Sequence, residues 1–274
     1  MRAVMPGQPG IDRDMSIFIV KAAHYRSSVE TGAEDGMAGM ALQTMDQERT
    51  EDRIMTGFKV AMAIGDAGGI GPELAAKVVA DAESNLGDLL IIGDRRVLEL
   101  VAADAGVSLD LPILAPEEVD AGLPEGSCMI DLGNCDPESV PQGEASHEGG
   151  LASVQNFRAA LLAANAGYAN VVFFTPFNKF AMRLGQPDYV DEIGFIDATI
   201  HPAESGREFN VLDEVWNARV TSHISLRQVA DRITEQRVFE SLCLTDKTMR
   251  GAGFERPRIG VAALNPCLLY TSPS

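Results

Sequence analysis

From residue 58 onward, apolar and polar positions fall into blocks that read as strand, helix, strand, helix. Phe58 to Ile64 is mostly apolar and ends in a glycine turn. Pro72 follows, where the first turn of a helix accommodates proline, and Leu74, Val78 and Val79 carry that helix on. Leu89 to Ile92 predicts a short buried strand closed by Gly93-Asp94. Arg95 to Ala105 predicts a helix with Val97, Leu100 and Val101 on one face, ended by Gly106. Cys128 to Leu132 is a further strand; Leu151, Val154, Phe157, Leu161, Ala164 and Tyr168 keep helical spacing, and Val171 to Phe174 is the strand after them. Ala218 to Thr221 is a short strand candidate. Helices are predicted near Leu226 and after Thr234, a suitable N-cap, and a last strand runs from Ile259 to Leu264 before Asn265-Pro266. This alternation predicts an α/β protein with a largely parallel sheet.

Residues 1–54 break the pattern. They hold 6 of the 11 methionines and sustain no period of 2 or 3.6, and they lack the order of a signal peptide. A disordered leader that packs against nothing is expected, or upstream sequence ahead of a true start at Met55. The rest of the 274-residue chain is long enough for a real core, and 46% hydrophobic residues exclude wholesale disorder. Its clearest apolar runs are of strand length, well short of the roughly 18–20 residues that cross a bilayer, so no membrane association is expected. A formal charge of −18 argues against nucleic acid as a partner, while a local cluster of donors could still hold a small phosphorylated molecule. Cys128, Cys135, Cys243 and Cys267 lack the paired spacing of structural zinc sites and predict reduced, mostly buried thiols in a cytoplasmic protein.

Chemistry can sit where strands end. Gly65-Asp66-Ala67-Gly68-Gly69-Ile70-Gly71-Pro72-Glu73 joins the first strand to the first helix, at the edge where α/β sheets place ligands. Leu74 stands where a dinucleotide fingerprint needs its third glycine, and no Gly-Lys-Ser/Thr follows. The segment is therefore either a tight structural turn or an anion site at a helix N-terminus. Asp66 either bonds the turn's backbone or acts in the site. Thr175-Pro176-Phe177-Asn178-Lys179 directly follows the Val171 strand and carries one of only five lysines in the chain. It is either a surface loop or the place where Lys179 meets a phosphate or carboxylate, or shares in proton transfer. Asp191-Glu192 and Thr221-Ser222-His223 are the remaining candidates. Asp191 and His223 could be two ligands of a divalent cation, or His223 a hydrogen-bonded strand-edge residue. His147 and His201 are expected in solvated loops.

In this order the segments resemble one family. Residues 65 to 73 are similar to the GDPAGIGPE signature of the 4-hydroxythreonine-4-phosphate dehydrogenase family, with Ala67 and Gly68 replacing its Pro-Ala. Ile92-Gly93-Asp94-Arg95-Arg96 resembles the family's second strand end, and Thr175 to Lys179 its TP-x-NK-type motif. Arg219-Val220-Thr221-Ser222-His223-Ile224 resembles its threonine-histidine motif, and Gly260 to Pro266 its GLNP strand. The resemblance covers residues 58 to 266. It implies a fold like isocitrate and isopropylmalate dehydrogenases, with two α/β lobes around a cleft, in a homodimer. It also implies oxidation by NAD or NADP of a secondary alcohol on a 4-phosphorylated four-carbon acid, then loss of the carboxylate, as in pyridoxine biosynthesis. A divalent metal (Zn, Mg, Mn or Co) would assist. Thr175, Asn178 and Lys179 would bind substrate, Lys179 and Asp66 would be catalytic, and Asp191 and His223 would hold the metal.

The resemblance is incomplete in three places. Val190-Asp191-Glu192-Ile193 occupies the place of a GHTE-like segment whose histidine binds metal, making Asp191 the candidate substitute; a carboxylate there favours harder ions such as Mg²⁺ or Mn²⁺. That change and Glu208 to Leu212 lean toward the branch acting on phosphorylated threonate or erythronate. After Asn265-Pro266 comes Cys267 to Ser274, which resembles nothing in the family. The family's third metal histidine and main cofactor contacts lie in a later region, so an incomplete dehydrogenase domain over 55–266 and a non-family tail over 267–274 are expected, inactive alone. A noncatalytic phosphate-ligand-binding relative is the competing reading.

Overall fold

The computed structural model describes residues 20–21, 59–81, 87–202, 208–212, 215–222 and 224–262. The chain divides into two compact units, residues 1–206 and 207–274.

The first unit is a parallel sheet covered on both faces. Its strands are β1 (Val20–Lys21), β2 (Lys59–Ala63), β3 (Asp88–Gly93), β4 (Ile113–Leu114), β5 (Cys128–Asp131) and β6 (Val171–Phe174), in the order β1-β6-β2-β3-β5-β4. All pairings are parallel except β1 with β6. The helices are α1 (Gly71–Ala80), α2 (Arg95–Ala105), α3 (His147–Asn165), α4 (Lys179–Gly185) and α5 (Glu192–Ile200). Because side chains alternate across a strand, each strand feeds two cores. Val60, Met62, Ile64, Leu89, Ile91 and Met129 pack with Ala75 and Ala76 of α1 and Val97, Leu98 and Ala102 of α2. Ala61, Ala63, Leu90, Ile92, Ile130 and Val172 pack with Phe157 and Leu161 of α3, Met182 of α4 and Phe195 of α5. Burial on both faces explains why these strands are continuous apolar runs.

Local signals set most boundaries. Asp94 caps α2 by accepting from the Arg96 N–H, and Gly106 ends that helix at φ 67°, the left-handed conformation glycine adopts without penalty. Ser146 caps α3 through the Gly149 N–H. The helices α3 and α4 cross at glycine: a Cβ on Gly150 would lie 1.7 Å from the Ala181 carbonyl oxygen, and one on Gly185 2.3 Å from the Leu151 nitrogen. This close approach fixes the position of α4.

The second unit holds a hairpin, β7 (Phe209–Val211) with β8 (Trp216–Ala218), followed by α6 (Leu226–Arg232) and α7 (Glu235–Gly251). Trp216 contacts Phe209 and Phe254 edge-on, at ring-centroid distances of 6.0 and 5.6 Å. Thr234 caps α7 by accepting from the Arg237 N–H.

Several expectations need correction. Val20–Lys21 pairs antiparallel with Val172–Val171, so this part of the expected leader lies against the sheet. The strand placed at Ala218–Thr221 runs instead over Trp216–Ala218, where cross-strand aromatic packing holds it. Residues 259–262 form no strand and are exposed; a buried strand needs neighbours on both edges, and none pairs with them among the described residues. His147 opens α3 and His201 closes α5 at φ 44°, so neither is a simple loop residue. Of the thiols, Cys128 and Cys135 are buried and Cys243 is exposed; Cys267 lies outside the described residues. No helix among the described residues is long and apolar enough to cross a membrane.

Asp94 ties three elements together. Its carboxylate accepts from the Arg96 backbone at 2.9 Å, from the Arg96 guanidinium at 3.1 and 2.9 Å, and from the Cys135 N–H at 2.8 Å. Burial alone would raise its pKa, but these bonds outweigh burial and hold it below the ordinary aspartate value. The stability it lends is therefore present above the ordinary value and is lost as pH falls through the lowered one. Asp94→Ala removes a helix cap and strands the Cys135 N–H, so a loss of about 2–3 kcal/mol is expected at neutral pH. Denaturation at neutral and acidic pH checks this: the gap to the parent protein should close in acid.

Candidate functional site

The carboxyl ends of β2 and β6 are stitched together. The Thr175 N–H donates to the Ala63 carbonyl at 3.2 Å, the Gly65 N–H to the Thr175 Oγ1 at 2.7 Å, and the Asp66 N–H to the Pro176 carbonyl at 3.2 Å. The two segments singled out in the sequence thus meet at one sheet edge. Their approach requires glycine, since a Cβ on Gly65 would lie 2.2 Å, and one on Gly71 2.9 Å, from the Pro176 carbonyl oxygen.

The glycine turn uses its own donors. Besides the bonds from Gly65 and Asp66, Gly69 N–H reaches the Asp66 carbonyl at 3.0 Å and Gly68 N–H the Asp66 Oδ1 at 3.0 Å. From the other side, Gly143 N–H donates to the Gly68 carbonyl at 2.7 Å and Gln142 Nε2 to the Ala67 carbonyl at 3.1 Å. Four N–H groups that could cradle an anion are already spent, which favours the structural turn over the anion site. Asp66 accordingly has the backbone-bonding role open to it in the sequence. It is buried, and burial raises its pKa despite the bond from Gly68.

Beyond Pro176 the chain turns into α4. Asn178 is its N-cap, with Oδ1 accepting from Phe180 N–H at 3.1 Å and Ala181 N–H at 3.2 Å. Lys179 is therefore the first residue of a helix rather than part of a loop. Its ammonium donates to the Glu192 Oε2 at 2.8 Å; the Lys179 side chain is 50% exposed and that of Glu192 only 7%. Glu192 in turn opens α5, where the helix dipole favours a carboxylate. Behind the pair lies Tyr189, buried, whose hydroxyl makes no bond of normal hydrogen-bond geometry but lies near enough to the Glu192 carboxylate to interact with it. Burial, then the Glu192 and Asp191 carboxylates, hold that phenol far above the ordinary tyrosine value.

Asp191 is the N-cap of α5, its Oδ1 accepting from the Gly194 N–H at 2.8 Å. His223 lies outside the described residues, so no distance joins it to Asp191. Among the described residues no three His, Cys, Asp or Glu side chains are placed to hold a metal ion. Those residues do not by themselves fit a metal site, and no chemical step is assigned to one here. The structure thus brings Asp66, Thr175, Asn178 and Lys179 to one edge and gives Thr175, Asn178 and Asp191 clear structural bonds. Sequence reasoning missed Glu192 as the partner of Lys179. Its signal was slight: a glutamate just after a capping aspartate, thirteen residues from the lysine.

Two substitutions test these bonds. Thr175→Val leaves the buried Gly65 N–H without an acceptor and should cost about 1–3 kcal/mol, read as a fall in the denaturation midpoint. A variant melting like its parent would show that the hydroxyl does not hold the turn. For Asp66, the raised pKa means that the fold favours the protonated form. Its contribution is greatest below the ordinary aspartate value and declines as pH rises through the raised one. Asp66→Asn keeps an acceptor for Gly68 and stays neutral, so a higher melting temperature at pH 7 is expected. That gain should vanish well below about pH 4.

Comparison with known proteins agrees with the strand-end motifs. The model of the family described as "Pyridoxal phosphate biosynthetic protein PdxA" matches residues 85–267. A Rhizobium meliloti protein named "Putative 4-hydroxythreonine-4-phosphate dehydrogenase 2" is 44% identical over 208 residues, covering 76% of this chain and 60% of the relative. A Fusobacterium nucleatum protein named "Putative D-threonate 4-phosphate dehydrogenase" is 30% identical over 214 residues, covering 76% and 62%. The crystal structure of a 4-hydroxythreonine-4-phosphate dehydrogenase from Burkholderia phymatum superposes with a TM-score of 0.64 at 27% identity, covering 76% of this chain and 63% of that one. The chain therefore spans about three-fifths of the length of these relatives. With the family model matching well over half of its residues, the chain belongs to the PdxA family.

Proposed function

We propose that this protein oxidises a secondary alcohol on a 4-phosphorylated four-carbon hydroxy acid, passing hydride to NAD or NADP. The observation that carries this reading is the meeting of the glycine turn and the Thr175–Lys179 segment at the carboxyl edge of a parallel sheet, in a chain whose relatives bear dehydrogenase names. Lys179 supplies a half-exposed ammonium there. It has the charge and three donors to hold a phosphate or carboxylate, or to steady the oxygen that loses its proton as hydride leaves. Asp66, buried with a raised pKa, is the second candidate for proton transfer. Thr175 and Asn178 act in this reading by presenting Lys179, since their polar atoms bond the turn and the helix. A nicotinamide would accept the hydride. The family resemblance implies a divalent cation, for which Asp191 and His223 are the proposed ligands, and a homodimer.

The identity of the acid has a second reading. The Fusobacterium relative's name points to D-threonate 4-phosphate, as do the Asp191 substitution and the Glu208 to Leu212 stretch. Both readings share the phosphate and the hydroxyl that is oxidised.

The test is reduction of NAD or NADP with 4-hydroxythreonine 4-phosphate or 4-phosphothreonate, with and without a divalent cation, by the 274-residue protein and by one continued past Pro266 with a family-like carboxyl end. Lys179→Met is expected to lower kcat/KM by about two orders of magnitude. It should also cost stability, because Glu192 is left buried without its cation, so rates are compared per folded protein. Unchanged kinetics would remove Lys179 from the site. Tight binding of the phosphorylated acid with no nicotinamide reduction would favour a noncatalytic ligand-binding role.

A further inference from the structure

Lys179 does not rest where a helix would place it. It is the first residue of α4, at the end whose partial positive charge opposes a cation. The Glu192 carboxylate holds it there, across 2.8 Å and from a second helix. That carboxylate is buried, and a buried carboxylate without a partner is costly. The lysine contributes one of its three donors to Glu192, leaving the others for a ligand. Tyr189 completes the arrangement: its buried hydroxyl makes no bond of normal hydrogen-bond geometry, which is exceptional, and it stands close enough to the Glu192 carboxylate to interact with it. The neighbouring polar groups are committed elsewhere: Arg183 Nη2 reaches the Val190 carbonyl at 3.3 Å, and the Asp191 Oδ1 caps α5.

We propose that Glu192 is a positioning residue for Lys179. It aims the ammonium at an anionic group of the substrate, and the Tyr189 hydroxyl becomes its donor when the ammonium turns toward that anion. The proposal rests on the functional reading above and names the machinery behind its lysine.

Kinetics of four variants test it. Glu192→Asp keeps the charge but withdraws it by one methylene, so KM for the phosphorylated acid should rise about tenfold, with kcat per folded protein within about twofold. Glu192→Gln keeps the length and an acceptor, and its KM should rise less. Tyr189→Phe removes a hydroxyl that makes no bond of normal geometry in the free protein, so KM should rise with little loss of melting temperature. In a Lys179→Met background the Glu192 effects on KM should disappear, because they act through the lysine. Effects on KM that persist in that background overturn the proposal. So does a loss of melting temperature and apparent kcat with KM unchanged, which a merely structural residue would give.

If the parent protein shows no turnover, the functional reading is what has failed, and the lysine's placement is read directly. Lys179 is acylated with acetic anhydride, with and without inorganic phosphate, and its labelling is mapped against Lys77 and Lys247. The proposal expects labelling about threefold higher in Glu192→Gln than in the parent, because the ammonium loses its charge-assisted bond, and protection by phosphate in the parent only. Equal labelling in the two proteins overturns it.

Discussion

The hydrogen bond from the Gly65 N–H to the Thr175 hydroxyl is the contact on which the candidate site depends. It closes the end of β2 onto the end of β6, two strands already paired along their length. With the bond from Asp66 N–H to the Pro176 carbonyl, it fixes the exit direction of both chains. One exit leads through the glycine turn into α1, the other through Asn178 into α4. A parallel sheet gathers such exits at one edge because every crossover returns its strand in the same direction. What is particular here is that the gap between two exits is closed by backbone, and the absence of a Cβ at Gly65 and Gly71 allows it.

Rigidity propagates from that edge. The close crossing at Gly150 and Gly185 holds α4 against α3, and α3 lies across the sheet through Phe157 and Leu161. Phe157 also stacks with Phe195 of α5 at 5.4 Å and meets Phe174 of β6 edge-on at 5.0 Å. The first residues of α4 and α5 are thus presented by one packed aromatic cluster. Their opposite charges, Lys179 and Glu192, face each other as a consequence of packing as well as of attraction. The bare residue types of the pair would be unremarkable on a surface, where such ion pairs contribute little. Burial of the carboxylate makes this pair different.

Much of the fold was legible in the sequence because a doubly covered sheet writes its strands as plain apolar runs. The bounds of α2 followed from Asp94 and Gly106, which act through local backbone geometry. The helices α4 and α5 were not read, being 7 and 9 residues long and too short for a hydrophobic period to declare itself. Their caps, Asn178 and Asp191, are also residue types that bind ligands, so neither by itself announces the helix behind it. The site was half legible for a similar reason. Lys179 stood out as a scarce cation after a strand, whereas Glu192 acquires meaning only when α5 folds back beside α4. The strand expected at 259–264 failed in the opposite sense over its described residues, 259–262, since an apolar run needs a sheet to join.

The Gly68 position is constrained by backbone far away in sequence. Family signatures resembling this turn have alanine there, yet in this structure an added Cβ would stand 2.8 Å from the Pro141 carbonyl oxygen and 3.0 Å from that of Glu144. The loop at residues 141–144 occupies the space a methyl group would fill, and Gly143 N–H anchors it to the Gly68 carbonyl. An alanine here would collide with backbone, which cannot swing aside as a side chain can. The substitution and the loop are therefore epistatic. Alanine at position 68 is compatible with this turn only if residues more than seventy positions away are placed differently.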